Sequence, residues 1–318
     1  MEQIEKNLFL HSSSLFKDFL MANKIYNLRK VSSVLRRLFN EFQSQFITII
    51  IDSNDFYPEK LRISKDFESR LFTLPIHKGR ALPIHTLDYN GFHPFVYAAK
   101  EALRVQKADR YTLINNILSK YFFLFSPETA GHLLSSEKES NLYKYPSWAV
   151  IMPWQLKQID EWALHVRQSV KHENNHKFGI ENGWAWSGPS SVKKITIESK
   201  RLSSLLNSIL INGYKRHNGN DGDISVAILY KNNSSWVWQA IAAQHRACVL
   251  SALGCNEVKV RIAMFVKRDE VATWPQVVNG FFTIAEALDI FDKVFDGGFY
   301  KNNIEWDNYI KLRNECGN

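Results

Sequence analysis

The chain has 318 residues, 45% of them hydrophobic, enough to bury a sizeable core in two domains or in one domain with a large extension. Its formal charge of +8 suits an anionic partner, but the basic residues are scattered, with Arg29, Lys30, Arg36 and Arg37 among the densest cluster, so charge alone does not specify nucleic acid. The apolar runs are too short to span a bilayer, the first residues, MEQIEKN, lack the basic flank and apolar stretch of a signal peptide, and Cys248, Cys255 and Cys316 form no CxxC metal pattern; a cytoplasmic protein with no membrane partner is expected.

In chain order, Leu8 to Asn40 reads as helical, with Arg36 and Arg37 on the polar side of Val34, Leu35 and Leu38. Phe46 to Ile51, FITIII, is a buried-strand candidate, and Asp52-Ser53-Asn54-Asp55 after it reads as a turn in preference to a metal or sugar-hydroxyl site. Leu61 to Leu87 reads as irregular, and its His77 and His85 carry little metal-site signal. His93 to Leu134 reads as helical, with Ser126-Pro127-Glu128 as an N-cap, a first-turn proline and an acidic first turn. Trp148, Trp154 and Trp162 suit either ring stacking or core packing, and packing is the commoner use. Glu181 to Ser191, ENGWAWSGPSS, is a loop that either joins the two halves of the chain or covers a ligand site.

The sharpest pattern is WVWQAIAAQHRACVLSALGCNEVKVR, Trp236 to Arg261. Trp236, Val237, Trp238 and Ile241 suit a strand, and Ala242-Ala243 allows a close turn. Ala247, Val249, Leu250 and Leu253 recur at helical spacing, with Gly254 as a left-handed cap. Val258, Val260 and Ile262 then alternate with Lys259 and Arg261 as a second strand. Gln244-His245-Arg246 therefore stands at the start of a helix, where unpaired amides and the helix dipole favour phosphate. Arg246 adds a donor fork, and His245 can donate to an anion or move a proton. The plainer alternative is that both residues cap the turn and pair with surface carboxylates. In the loop Gly213 to Asp223, Asp221 and Asp223 suit a divalent ion beside a phosphate, and a solvated surface loop suits them equally. Thr283 to Phe295 forms an amphipathic helix whose stripe of Ile284, Ala287, Leu288, Phe291 and Phe295 reads as core.

The order strand, small-small-Gln-His-Arg turn, helix, Leu-Gly, alternating-valine strand resembles the ParB/sulfiredoxin superfamily. Ile195 to Arg216 is similar to that family's opening strand and first helix, and Gly222 to Tyr230 to its second strand, so the resemblance spans residues 193–275. Gln244 stands where sulfiredoxins carry their catalytic Cys, so thiol repair is not expected. The resemblance implies an α+β protein: a mostly helical region at 1–180 of unknown role, and a ParB/sulfiredoxin-like α/β domain with a C-terminal helix at 190–318. It also implies a nucleoside triphosphate held by Ala243, Gln244, His245, Arg246, Gly213 and Arg216, with Mg²⁺ on Asp221 and Asp223. His245, Arg246 and Glu198, the last as a base, would then serve phosphotransfer to an unidentified small-molecule acceptor, or hydrolysis. The alternative is a non-catalytic nucleotide-sensing or DNA- or protein-binding regulatory module. DNA is not favoured, because Gln276 to Asn318 is too short for a helix-turn-helix region plus a dimerisation segment.

Overall fold

The computed structural model describes residues 50–318 except 52–55, 65–66, 68–70, 83, 175–176, 216–222, 298–303 and 317–318, and gives backbone alone for 50, 51, 314 and 316. The helix expected at Leu8 to Asn40, most of the strand expected at Phe46 to Ile51 and the turn at Asp52 to Asp55 lie outside the described residues. The described residues belong to one compact unit, Ile47–Asn318, with an α+β fold. Among them no helix is long and apolar enough to cross a membrane.

The sheet has seven strands: β1 (Ile50–Ile51), β2 (Leu71–Pro75), β3 (Gly79–Ala81), β4 (His85–Thr86), β5 (Ile224–Tyr230), β6 (Trp236–Ala242) and β7 (Glu257–Lys267), in the order β1-β2-β7-β5-β6-β3-β4. Strands from both sides of the 181–191 loop thus share one sheet. The centre is β7, parallel to β5, and β5, antiparallel to β6. β2 lies antiparallel to β7 on one side, and β3 lies parallel to β6 on the other. A single 3-10 turn, Ile76–Lys78, carries the chain between those two flanks, so the sheet curls back towards itself. Two hydrogen bonds hold the crossing: the Ile76 amide donates to the Asn256 carbonyl at 2.8 Å, and Trp238 Nε1 to the Pro75 carbonyl at 2.9 Å. A Cβ on Gly79 would stand 2.5 Å from the Trp238 ring, so the residue is glycine for space and not for φ.

The expectation of an irregular Leu61 to Leu87 is therefore corrected: three strands lie in it. β3 reads Gly-Arg-Ala and β4 is two residues long, too little for a local period-two signal; distant pairing partners make them strands.

The helices are α1 (Pro58–Ser64), α2 (Pro94–Ala102), α3 (Arg110–Leu124), α4 (Ala130–Leu134), α5 (Ile159–Glu173), α6 (Val192–Asn212), α7 (Gln244–Ala252), α8 (Pro275–Val278), α9 (Ile284–Asp296) and α10 (Ile304–Cys316). α2 begins on a His93 cap, whose Nδ1 accepts from the Phe95 amide, followed by Pro94 at the first helical position. Its Ala98, Ala99 and Ala102 are all fully buried, and these short side chains permit close helix packing.

α6 is the largest departure from the sequence expectation. The opening strand expected at Ile195 is the second turn of one 21-residue helix. Ser191 caps it, accepting from the Lys194 amide at 3.2 Å, and Ile195, Ser199, Leu202 and Leu206 form one buried face. The β-branched run ITI suits a strand in isolation, but the longer helical period prevails. The cap expected at Ser126 is also displaced. Ser126 Oγ donates back to the Phe122 carbonyl at the end of α3, and Thr129 caps α4 instead. α9 starts on Thr283 as expected, with its buried stripe shifted to Ala287, Ile290, Phe291 and Val294.

Candidate functional site

β6 ends at Ala242, and Ala243 turns the chain with φ 58° and ψ 34°, a left-handed backbone that glycine adopts more readily. α7 begins at once. The Arg246 and Ala247 amides both close on the Ala243 carbonyl, which leaves those of Gln244 and His245 as the earliest donors of the helix. Gln244 is buried, and its Oε1 accepts from the Leu82 amide at 2.8 Å, tying the turn to the β3–β4 connection.

His245 meets a carboxylate from α6: its Nε2 lies 2.9 Å from Glu198 Oε2. Glu198 is fully buried, and its Oε1 receives Lys194 Nζ at 2.6 Å and Arg201 Nη1 at 3.0 Å. Lys194, Glu198 and Arg201 share one face of α6 through i,i+4 and i,i+3 spacing. Burial by itself would raise the Glu198 pKa, but the hydrogen bond from His245 and the charges of His245, Lys194 and Arg201 outweigh it, holding the carboxyl far below the usual range. Both oxygens of the expected base are thus occupied, Oε1 by Lys194 and Arg201 and Oε2 by His245, an arrangement that orients the His245 ring.

The cluster borders a cleft of about 580 Å³. α5 contributes Trp162 and Val166, the 181–191 loop contributes Trp184 and Trp186, and the remaining wall includes Arg201 and the run Ile241 to His245. The His245 ring lies 5.0 Å from that of Trp186 and meets Phe95 edge-on at 4.8 Å. The loop is pinned by protein contacts. Tyr121 Oη donates to the Trp186 carbonyl, the Gly188 amide to the Phe125 carbonyl at 2.8 Å and the Ser191 amide to the Asn182 carbonyl at 2.8 Å. Of the other tryptophans, Trp154 is in the core against Trp274 and Phe291, while Trp162 lines the cleft and donates to the Val150 carbonyl at 2.7 Å.

The remaining predicted residues do not converge on this point. Arg246 is half-buried and is not part of the cleft wall. Gly213 follows the far end of α6, roughly 22 Å along the helix from Glu198 at 1.5 Å per residue. Asp223 Oδ2 accepts from Arg261 Nε at 2.6 Å, an ion pair at the mouth of β5. Arg216 and Asp221 lie outside the described residues. Among the described residues no group of three or more His, Cys, Asp and Glu side chains is arranged to hold a metal. Lys194, Arg201, Trp184 and Trp186 were missed as site residues; the Lys-x3-Glu-x2-Arg spacing becomes visible only once 194–201 is read as helix.

A second polar cluster gathers around Cys248 of α7. His93 Nε2 lies 2.9 Å from the Leu82 carbonyl, Cys248 Sγ is 3.7 Å from each of its ring nitrogens, and the His85 ring is 6.0 Å away. Burial lowers His85 to about 4, and burial with the neighbouring His85 charge holds His93 well below its usual value. Burial pushes the Cys248 thiol up, which disfavours the thiolate, and Cys248 is a fully buried core residue.

No family model, curated protein or solved structure matches the chain.

Proposed function

We propose that the chain binds a nucleoside triphosphate in the tryptophan-lined cleft, with the phosphates towards the first turn of α7 and the base against the indole walls. The bound nucleotide serves phosphotransfer to a small-molecule acceptor, or hydrolysis. One observation carries this reading: a histidine at a helix N-terminus, oriented by a buried ionised carboxylate, beside an aromatic cleft of about 580 Å³. The helix start and its amides favour the anion, and indole faces favour a planar ring. With Nε2 committed to Glu198, His245 exchanges protons with the ligand through Nδ1.

A second reading, a nucleotide sensor without turnover, draws on a separate observation. Glu198 is held between cations and Asp223 is paired with Arg261, so neither acts as base or Mg²⁺ ligand without breaking those pairs. Titration calorimetry with ATP, CTP and GTP in the presence of Mg²⁺, followed by phosphate-release assays, separates the readings. Binding with turnover that falls roughly 10²- to 10⁴-fold in His245→Ala supports the enzyme. Binding without turnover supports the sensor, and no binding by the wild type removes both.

A further inference from the structure

Arg246 was the guanidinium expected to meet phosphate, yet the cleft wall carries a different one. Arg201 lines the cleft with its side chain about a third exposed, and it bridges two carboxylates of unequal standing. Towards the interior it touches Glu198 with Nη1 alone, at 3.0 and 3.3 Å, and that carboxylate already has Lys194 on Oε1 and His245 on Oε2. Towards the opening it reaches α5, where Nη2 donates to the Glu173 carbonyl at 3.2 Å and Nη1 stands 3.6 Å from Glu173 Oε2. The Glu173 side chain is 50% exposed, so this outer pair is long and solvent-screened. Lys194 and Arg201 together exceed the charge of Glu198 by one, and the exposed Glu173 is the second carboxylate beside Arg201. An anion entering the cleft meets a guanidinium whose inner contact is one-handed and whose outer partner is weakly held.

Building on the nucleotide reading above, we infer that Arg201 is the anion-binding residue of the cleft, and that it takes a phosphate group by exchanging the Glu173 carboxylate for it. Glu173 is then a built-in competitor, occupying the guanidinium when the cleft is empty. The chemistry selected is a multiply charged phosphate chain attached to a planar ring, because a single weak charge would not displace Glu173 while a phosphate offers bidentate acceptance.

The test is calorimetry on the full chain with ATP, CTP and GTP in Mg²⁺, comparing wild type, Arg201→Gln, Arg201→Lys, Glu173→Gln and Arg246→Gln, each first checked by thermal melting. Arg201→Gln is expected to weaken the nucleotide that the wild type binds at least roughly tenfold, the loss of one charge-assisted contact, with partial recovery in Arg201→Lys. Glu173→Gln is expected to tighten binding about twofold to fivefold, as for removal of a screened competing pair. Arg246→Gln is expected to lose less than Arg201→Gln. Wild-type affinity in Arg201→Gln, or unchanged or weaker binding in Glu173→Gln, overturns the inference while leaving the nucleotide reading intact. If Arg201→Gln does not fold, the direction of the Glu173→Gln change decides. Absence of binding by the wild type removes the nucleotide reading and this inference with it.

Discussion

Two histidine-containing clusters meet α7 at His245 and at Cys248, three residues apart and neighbours on the helix surface, and they solve burial in opposite ways. Around His245, a fully buried carboxylate keeps its charge because Lys194, Arg201 and His245 all donate to it. Around Cys248, His93 meets the Leu82 carbonyl and the thiol, the His85 ring lies beside it, and burial favours the neutral forms. Leu82 joins the two, its amide donating to Gln244 and its carbonyl meeting His93. The half-buried His245 has a charge partner and an opening beside it, whereas the fully buried His93 meets a backbone carbonyl and a thiol.

The comparison breaks most visibly at Glu198. Glu198→Ala leaves the Lys194 ammonium buried without its partner and is expected to cost roughly 3–5 kcal/mol in chemical denaturation. Lys194→Met is expected to cost less, because Arg201 and His245 still face the carboxylate. A Glu198→Ala loss below about 1 kcal/mol would mean that the charged cluster is not sealed from water.

The neutral cluster is sharpened by pH. His85 is held at about 4 when folded against an ordinary 6.5, so between those values the unfolded chain binds the extra proton. Its contribution to stability is complete above pH 6.5 and is lost as pH falls towards 4, by about 3 kcal/mol. His85→Phe is expected to flatten the decline of stability between pH 6.5 and 4. Asp307, pushed up by burial to about 6, acts with the opposite sign between its ordinary 3.8 and 6 in both proteins, so the difference between the two denaturation profiles is the readout. Parallel profiles would show that His85 is hydrated.

The smallest effect concerns the turn from which α7, which carries His245 and Cys248, begins. Ala243→Gly relieves a left-handed backbone at a cost in unfolded-chain entropy, and the net change is expected to be neutral to stabilising, within about 1 kcal/mol by thermal melting. A clear destabilisation would contradict the left-handed geometry at that position.

Where local pattern and tertiary demand agree, the chain is readable from its residues. The strand from Trp236, the helix opening at Gln244, its end at Gly254, whose φ is 74°, and the alternating strand from Val258 all lie where the periodicity puts them. The Glu181 to Ser191 loop was also legible as a loop, and its tryptophans face a cleft. The failures share a cause. β3 and β4 are too short to carry a pattern, and ITIES in α6 has strand-like residues inside a helical period, so a six-residue window misreads it.

By itself the sequence determined the strand, turn and helix around Gln244, because those depend on short-range periodicity and backbone preference. Only the tertiary structure decided that the helix from Ser191 brings Glu198 to His245, that Arg201 and not Arg246 faces the cleft, and that Cys248 is sealed. Those outcomes depend on which side chains meet across long sequence separations, and on whether a buried charge finds a partner there.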